Sequence, residues 1–190
     1  ETALILSRLK LDSKTIAAGI LHDTMDHSNI TEQELVQKFG PEISFIVSAL
    51  TKLENVKYKD SEKEREQESL RRFFLAMARD IRVVMIFLAD RLHNMRTIRY
   101  LEKEKQLRLA QQTLDIHAPL ANRLGLAGIQ GALEDLAFPI VYPKDYQWLM
   151  DEVKDKYQER TQYINKIKDY LAVRLKENNH INIKDIYARA

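Results

Sequence analysis

Three residues of the sequence have side chains that could together hold a divalent metal ion: the adjacent pair His22 and Asp23, and Asp90 much further along the chain. Imidazole nitrogens and carboxylate oxygens form the mixed ligand set that suits manganese, iron or zinc. The chain contains no cysteine, so a thiolate metal site, a disulfide and a cysteine nucleophile are all excluded. Three other histidines are less well placed, and we expect them to be structural or exposed: His93, His117 and His180.

The pattern around Asp90 predicts a helix from about Asp80 to Leu101. At about 100° per residue, Asp90 shares one stripe of this helix with Asn94, Thr97 and Leu101. Apolar residues surround the first half of the helix on every side, which is typical of a buried helix. We therefore expect Asp90 to lie in an apolar environment.

A carboxylate on a buried helix needs a partner, because the desolvation of an isolated charge is unfavourable by several kcal/mol. A metal ion shared with His22 and Asp23 would provide that partner. The alternative is an ion pair with a neighbouring arginine such as Arg91 or Arg96. The pattern of residues leaves both possibilities open.

The composition predicts an all-α globular protein. Of the 190 residues, 45% are hydrophobic, which is enough to bury a core, and only 5 are Gly and 4 are Pro, which argues against a sheet-rich architecture. A formal net charge of +2 gives no sign of a nucleic-acid partner. The sequence has no apolar run of membrane-spanning length and no secretion leader, so we expect a cytoplasmic location and no membrane contact.

The helix that delivers His22 and Asp23 begins at a capping residue, Asp12 or Ser13, and its apolar spacing continues to Leu21. Further along, Thr31 and Glu34 have the spacing of a capping box, and a helix is predicted over residues 42–53. We expect the charged stretch 54–68 to be a mobile loop or a frayed helix, with helical periodicity returning at residues 70–77.

In the second half of the chain, glycines and prolines indicate where helices begin and end. Gly125 and Gly128 indicate turns, and an amphipathic segment is expected to end at Pro139. Pro143 begins a long segment in which apolar residues recur at helical intervals as far as residues 178–179. This segment predicts one or two long helices.

Four segments, in this order and at these intervals, resemble the Rel/Spo homologue family: Ala17–Asp23, Leu88–Thr97, Ala118–Gly125 and Leu133–Phe138. Because the four blocks extend across most of the chain, the resemblance is specific. It implies an all-helical HD domain that uses a manganese ion to remove the 3′-pyrophosphate of the alarmones guanosine tetraphosphate and pentaphosphate. A nucleotide-transferring synthetase domain follows it in the family.

The resemblance carries roles to individual residues. It implies that His22, Asp23 and Asp90 bind the metal and that the nucleoside is held by Asn94, Thr97 and Leu101. A further metal-binding histidine of the family would lie just ahead of Glu1. Because the chain starts without Met inside an apolar-periodic segment, we expect it to be part of a longer protein.

The same resemblance divides the chain into three parts. We expect residues 1–140 to form the HD-type hydrolase domain with a shortened N-terminus, and residues 141–180 to form a long helical connector. Residues 181–190 resemble the entry to the synthetase domain, whose body the sequence does not contain. The synthetase domain of the full-length protein is therefore an expected partner, and we expect no synthesis of the alarmone by this chain alone.

The main departure from the family lies at Asp26 and His27, where relatives usually carry Glu and Asp. That acidic pair is thought to activate the attacking water and to handle protons. Asp26 could act through its shorter side chain, and His27 could replace the missing carboxylate, since imidazole titrates near neutral pH. The site is either altered and active or decayed.

Two functions from different classes follow from these observations. The first is a metal-dependent 3′-pyrophosphohydrolase of guanosine tetra- and pentaphosphate, which the retained residues His22, Asp23 and Asp90 favour. The second is a non-catalytic HD domain that regulates an attached synthetase, which the change at Asp26 and His27 favours. A phosphohydrolase acting on an unrelated nucleotide is disfavoured by the three downstream blocks.

Overall fold

A computed structural model describes residues 1–28, 30–54, 75 and 78–176, and these residues contain helices and no strand, which confirms the predicted all-α class. The chain divides into two compact units, Glu1–Val141 and Tyr142–Ala190. The helices that the structure describes in the first unit are α1 (Thr2–Arg8), α2 (Ser13–Leu21), α3 (Thr24–His27), α4 (Glu32–Phe39), α5 (Pro41–Glu54), α6 (Ile81–Thr97), α7 (Lys103–Gln112), α8 (Ala118–Arg123) and α9 (Ala127–Val141).

The described residues of the second unit form one helix, α10 (Pro143–Lys176), so the long segment predicted as one or two helices forms a single helix of 34 residues there. None of the described helices has an apolar stretch of the length that a bilayer crossing requires. The predictions for the charged stretch after residue 54, for the helix at 70–77 and for residues 181–190 lie outside the described residues, with Leu75 as the one described position among them. The predicted three-part domain division remains a prediction.

Helix α6 is the centre of the first unit and packs against α1, α2, α5 and α9. Its apolar residues form much of the core, and five of them are completely buried: Val83, Val84, Ile86, Leu88 and Ala89. This burial agrees with the prediction from its apolar sequence, although Ile81 at the start of the helix is 45% exposed. The helix that carries Asp90 is therefore held on several sides.

The N-termini of the helices form as their capping residues predict. The Asp12 carboxylate accepts hydrogen bonds from the backbone N–H groups of Lys14 and Thr15 at the start of α2. Thr31 and Glu34 form a complete capping box at α4. These side chains satisfy N–H groups that have no partner inside their own helix, which fixes where each helix begins.

Arg82 connects the N-termini of three helices, α2, α5 and α6. Its guanidinium donates to Asp80, the N-cap of α6, at 2.6 Å, and to Glu42 in the first turn of α5 at 2.7 Å. Asp12 at the N-terminus of α2 lies 3.9 Å from the same group, and Lys14 also pairs with Glu42. The hydrogen bond from Arg82 holds the pKa of Asp80 below its usual value. The cluster therefore ties α2, α5 and α6 together at one end.

The structure corrects two of the predicted boundaries and adds one element. Helix α9 continues through Pro139 to Val141, so the proline stands inside the last turn and does not end the helix. Gly128 lies inside α9, whereas Gly125 occupies a turn with a φ of +71° as predicted. A π-helical segment, Thr113–His117, joins α7 to α8 into a continuous helical run.

Gly19 allows α1 and α2 to approach closely. A Cβ atom added at this position would lie 2.3 Å from Cδ1 of Leu6, a side chain that is fully buried. Because the packed interior around Leu6 leaves little room, that side chain cannot move away without disturbing the core. The absence of a side chain at Gly19 thus sets the distance between α1 and α2.

We expect Gly19→Ala to lower the free energy of unfolding by about 1–3 kcal/mol, because overpacking of a filled core has a cost of that size. Urea denaturation of the chain measures this effect. The matched control is Gly128→Ala, where an added Cβ meets no atom within 4 Å, and where a stabilisation of about 0.4–1 kcal/mol is expected from the stiffer unfolded chain. Equal stability of Gly19→Ala and Gly128→Ala would refute the close-packing argument, because both gain from the stiffer unfolded chain and only Gly19→Ala adds a contact in the core.

Candidate functional site

His22 occupies the C-cap of α2, and the fold fixes both nitrogens of its ring. Nδ1 lies 3.0 Å from the carbonyl oxygen of Gly19, and since a carbonyl can only accept, Nδ1 carries a proton and donates it. Nε2 lies 3.1 Å from Oδ1 of Asp90. The side chain is only 13% exposed. The backbone of α2 therefore aims Nε2 at the buried carboxylate on α6.

Both oxygens of Asp90 accept hydrogen bonds. Oδ1 faces His22 and also receives the hydroxyl of Thr2 at 3.3 Å, whereas Oδ2 receives the amide of Asn94 at 2.8 Å. The donors come from α1, from the end of α2 and from α6 itself. The hydrogen-bond donors to this largely buried carboxylate are thus an imidazole and two neutral groups, while Arg91, one of the arginines that the sequence left open, contributes a favourable charge.

The charges of His22 and Asp90 stabilise each other. Burial is the largest single influence on Asp90 and would raise its pKa, but the hydrogen bond and charge of His22, helped by Arg91 and Thr2, hold the pKa below its usual value. The hydrogen bond to Asp90 raises the pKa of His22 above 6.5 against the opposing effect of burial. The pair is therefore an ionised carboxylate beside an imidazole that is readily protonated.

Asp23 forms a group of three side chains with His22 and Asp90. Its Oδ2 atom lies 3.3 Å from Nε2 of His22, and its side chain is 51% exposed at the N-cap of α3. The three predicted metal ligands, His22, Asp23 and Asp90, are thus adjacent in the folded chain. Among the described residues, however, no group of three or more His, Asp and Glu side chains is arranged so that it could hold a metal ion.

The chemistry of these donors nevertheless fits a divalent ion. Two ligand atoms that each lie about 2.1 Å from one ion are about 3.0–3.4 Å apart at octahedral or tetrahedral angles. The contacts of Nε2 with Asp90 and Asp23, at 3.1 and 3.3 Å, fall in this range. An imidazole nitrogen and two carboxylates also match the preferences of first-row metals.

The other predicted site residues lie on α3 and along and just after α6. Asp26 and His27 are exposed on α3, a single turn that begins directly after Asp23. Asn94 and Thr97 are partly buried on α6, and the Thr97 hydroxyl donates to the helix backbone at the carbonyl oxygens of residues 93 and 94. Leu101 follows a 3₁₀ turn and is 43% exposed. Their assigned roles remain predictions.

Thr2 is the contact that the sequence did not indicate. It is 4% exposed and lies 88 residues from Asp90 in the chain, so no periodicity or local motif links the two. The pairing of α1 with α6 brings them together. The only sequence signal for Thr2 was its position beside the apolar residues of α1, which predicts burial and no particular partner.

Of the histidines expected to be structural, His117 is buried and stacks on Phe87 with a centroid separation of 5.1 Å. Its Nδ1 atom lies 2.9 Å from the carbonyl oxygen of Gln112, and burial holds its pKa well below 6.5. His93 is partly buried, and His180 lies outside the described residues. The neutral, buried ring of His117 agrees with a structural role.

Comparison with known proteins gives consistent matches. A family model described as HD domain matches residues 1–127. A GTP pyrophosphokinase of Myxococcus xanthus is 44% identical over 179 residues, which are 93% of this chain and 24% of that protein. The bifunctional (p)ppGpp synthase/hydrolase SpoT of Escherichia coli K12 and a guanosine-3′,5′-bis(diphosphate) 3′-pyrophosphohydrolase of Escherichia coli O157:H7 are each 41% identical over 175 residues, which are 92% of the chain and 25% of each relative. The chain spans about a quarter of the length of these relatives.

The coupling of His22 to Asp90 can be measured directly. We expect Asp90→Asn to lower the pKa of His22, because it removes the hydrogen bond and the charge that raise it. An NMR titration of the ring protons checks this, with the exposed Asp115→Asn as the control.

A raised pKa in the folded state contributes stability that is complete below the unfolded value near 6.5 and is lost as the pH rises through the folded value. The stability difference between the unaltered chain and Asp90→Asn should therefore be larger at pH 6 than at pH 9. An unchanged His22 pKa would contradict the pairing.

Proposed function

The chain belongs to the HD domain family and, within it, to the Rel/Spo homologues, and from this membership we propose that it hydrolyses the 3′-pyrophosphate of guanosine tetra- and pentaphosphate with the help of a manganese ion. The observation that supports this most strongly is the contact of His22 with the largely buried Asp90 on an apolar helix. A relative that covers most of the chain carries the same activity in its name. The activity would degrade the alarmone.

Under this proposal His22, Asp23 and Asp90 hold the ion, together with a ligand that the described residues do not supply. A bound divalent ion would lower the pKa of a water molecule and neutralise charge on the phosphoryl oxygens. The fold prepares the protein side of the site by keeping Asp90 ionised and by orienting the imidazole of His22 through Gly19. The Asp23 side chain, 51% exposed, would be accessible to an approaching substrate.

The stripe on α6 would hold the nucleoside. Asn94 and Thr97 continue from Asp90 toward the C-terminal end of the helix, and Leu101 offers an exposed apolar surface just beyond it. With the 3′-diphosphate at Asp90, a nucleoside lying along the helix would reach these side chains. We propose that the Thr97 hydroxyl, whose proton is donated to the helix backbone, faces the ligand as an acceptor.

Proton transfer is assigned to Asp26 and His27. Both side chains are exposed on the turn of helix that follows Asp23, so both are accessible to solvent and to a bound substrate. An imidazole or a carboxylate that reaches the substrate can act as a general acid or base. We assign this role to the imidazole of His27, with the carboxylate of Asp26 on the same turn as a second candidate.

A regulatory function is the second candidate, and the same two residues favour it. Neither the Glu nor the Asp that the resemblance implies stands at these positions, so the metal-binding residues could remain while the proton-transfer group is lost. In that case the domain would regulate a synthetase attached after residues 141–180. The length of the relatives, about four times that of this chain, leaves room for such a domain in the whole protein.

The first test is release of pyrophosphate from guanosine tetraphosphate in the presence of Mn²⁺, using the chain with any native residues that precede Glu1. We expect Asp90→Asn to reduce the rate by more than about 100-fold, because even residues behind a metal ligand change activity by 10–100-fold. Asp115→Asn should leave the rate unchanged, and ATP should not be cleaved. Equal rates for Asp90→Asn and the unaltered chain would eliminate this site.

The second test separates the two functions. If the proton-transfer group is mispositioned, Asp26→Glu combined with His27→Asp should raise the rate by at least about tenfold, a conservative floor below the roughly 10²- to 10⁴-fold that a positioned acid or base contributes. If His27 is the working group, His27→Ala should lose activity. No turnover by the unaltered chain and none by the double variant would leave the regulatory function.

A further inference from the structure

We propose that Thr2 is a positioning residue that fixes the carboxylate of Asp90 for metal binding, an inference that rests on the proposed function. Thr2 belongs to α1 and is almost completely buried, and its Oγ1 atom donates to Oδ1 of Asp90 at 3.3 Å. This contact joins two helices that pack against each other along the core. It is one of the three hydrogen bonds to the carboxylate.

The three donors to Asp90 differ in what metal binding would do to them. His22 Nε2 can donate to Oδ1 only while it carries a proton, and a nitrogen that binds a metal has lost that proton. The donation from His22 would therefore end when the ion binds. Of the described residues, Thr2 and Asn94 would then be the two hydrogen-bond donors left to hold the carboxylate, one on each oxygen.

Their places in the fold make the contributions of Thr2 and Asn94 unequal. Asn94 lies four residues from Asp90 on the same helix, so its amide restrains the carboxylate relative to α6 alone. Thr2 reaches Asp90 from α1, so its hydroxyl restrains the carboxylate relative to a second helix. That helix also packs on α2, which carries His22 at its end. Thr2 thus sets the position of one metal ligand relative to another.

The hydroxyl of Thr2 can be separated from its packing by paired substitutions. Thr2→Val replaces the hydroxyl with a methyl group of similar size, and Thr2→Ser keeps the hydroxyl and removes the methyl group. Thr2→Ala, compared with Thr2→Ser, gives a second pair that differs only in the hydroxyl. This second pair keeps the test decisive if a valine at this buried position prevents folding.

The experiment measures Mn²⁺ affinity by calorimetry, with the electron paramagnetic resonance signal of free Mn²⁺ as a second readout, on the chain with any native residues that precede Glu1. We expect Thr2→Val and Thr2→Ala to weaken binding by about 10–100-fold, the usual effect of removing a hydrogen bond behind a metal ligand. Thr2→Ser should lose less than tenfold. Thermal unfolding of each variant separates this loss from a loss of stability.

Any one of the following results would overturn the inference. Unchanged affinity in both variants that lack the hydroxyl would show that Thr2 does not position Asp90. Equal losses in Thr2→Ser and Thr2→Ala would assign the effect to packing. No binding of Mn²⁺ by the unaltered chain would overturn the proposed metal site and this inference with it, whereas binding that Asp90→Asn abolishes and Thr2→Val leaves intact would overturn the inference alone.

Discussion

The charge of Asp90 is the constraint on which the first unit depends. A carboxylate on a helix buried on several sides is tolerated only where donors surround it, because the loss of hydration is unfavourable by several kcal/mol. Those donors come from α1, from the end of α2 and from α6. The three elements must therefore keep their relative positions for the charge to persist. Asp90, a predicted metal ligand, is thus also a side chain that constrains how these helices pack.

The packing near the site is as restrictive as the hydrogen bonds. Gly19 lets Leu6 fill the space between α1 and α2, and the carbonyl oxygen of the same glycine accepts from His22. One position thus controls both the distance between two helices and the orientation of an imidazole. A small displacement of α2 would move Nε2 away from Asp90, and the mutual effect on their pKa values depends steeply on that separation.

Much of this arrangement is encoded locally and could be predicted from the sequence. The caps at Asp12 and Thr31, the apolar helix around Asp90 and the long helix after Pro143 depend on residues close together in the chain. The contact of Thr2 with Asp90 depends on how α1 and α6 pack, which no pattern of spacing contains. The π-helical segment at Thr113–His117 escaped prediction for a related reason, since it places one additional residue in a turn and shifts the periodicity on either side of it.

The ion cluster around Arg82 also determines where the molecule can accept a phosphate. The N-terminus of a helix is an attractive position for an anion, because its free N–H groups and its dipole both favour negative charge. At the N-termini of α2, α5 and α6 those positions already hold the carboxylates of Asp12, Glu42 and Asp80, which Arg82 binds in turn. A phosphate approaching that end would meet negative groups and an arginine already engaged by them. Asp90 lies eight residues further along α6, about 12 Å from Arg82, so these occupied N-termini are well separated from the place where a cation bound beside Asp90 would attract an anion.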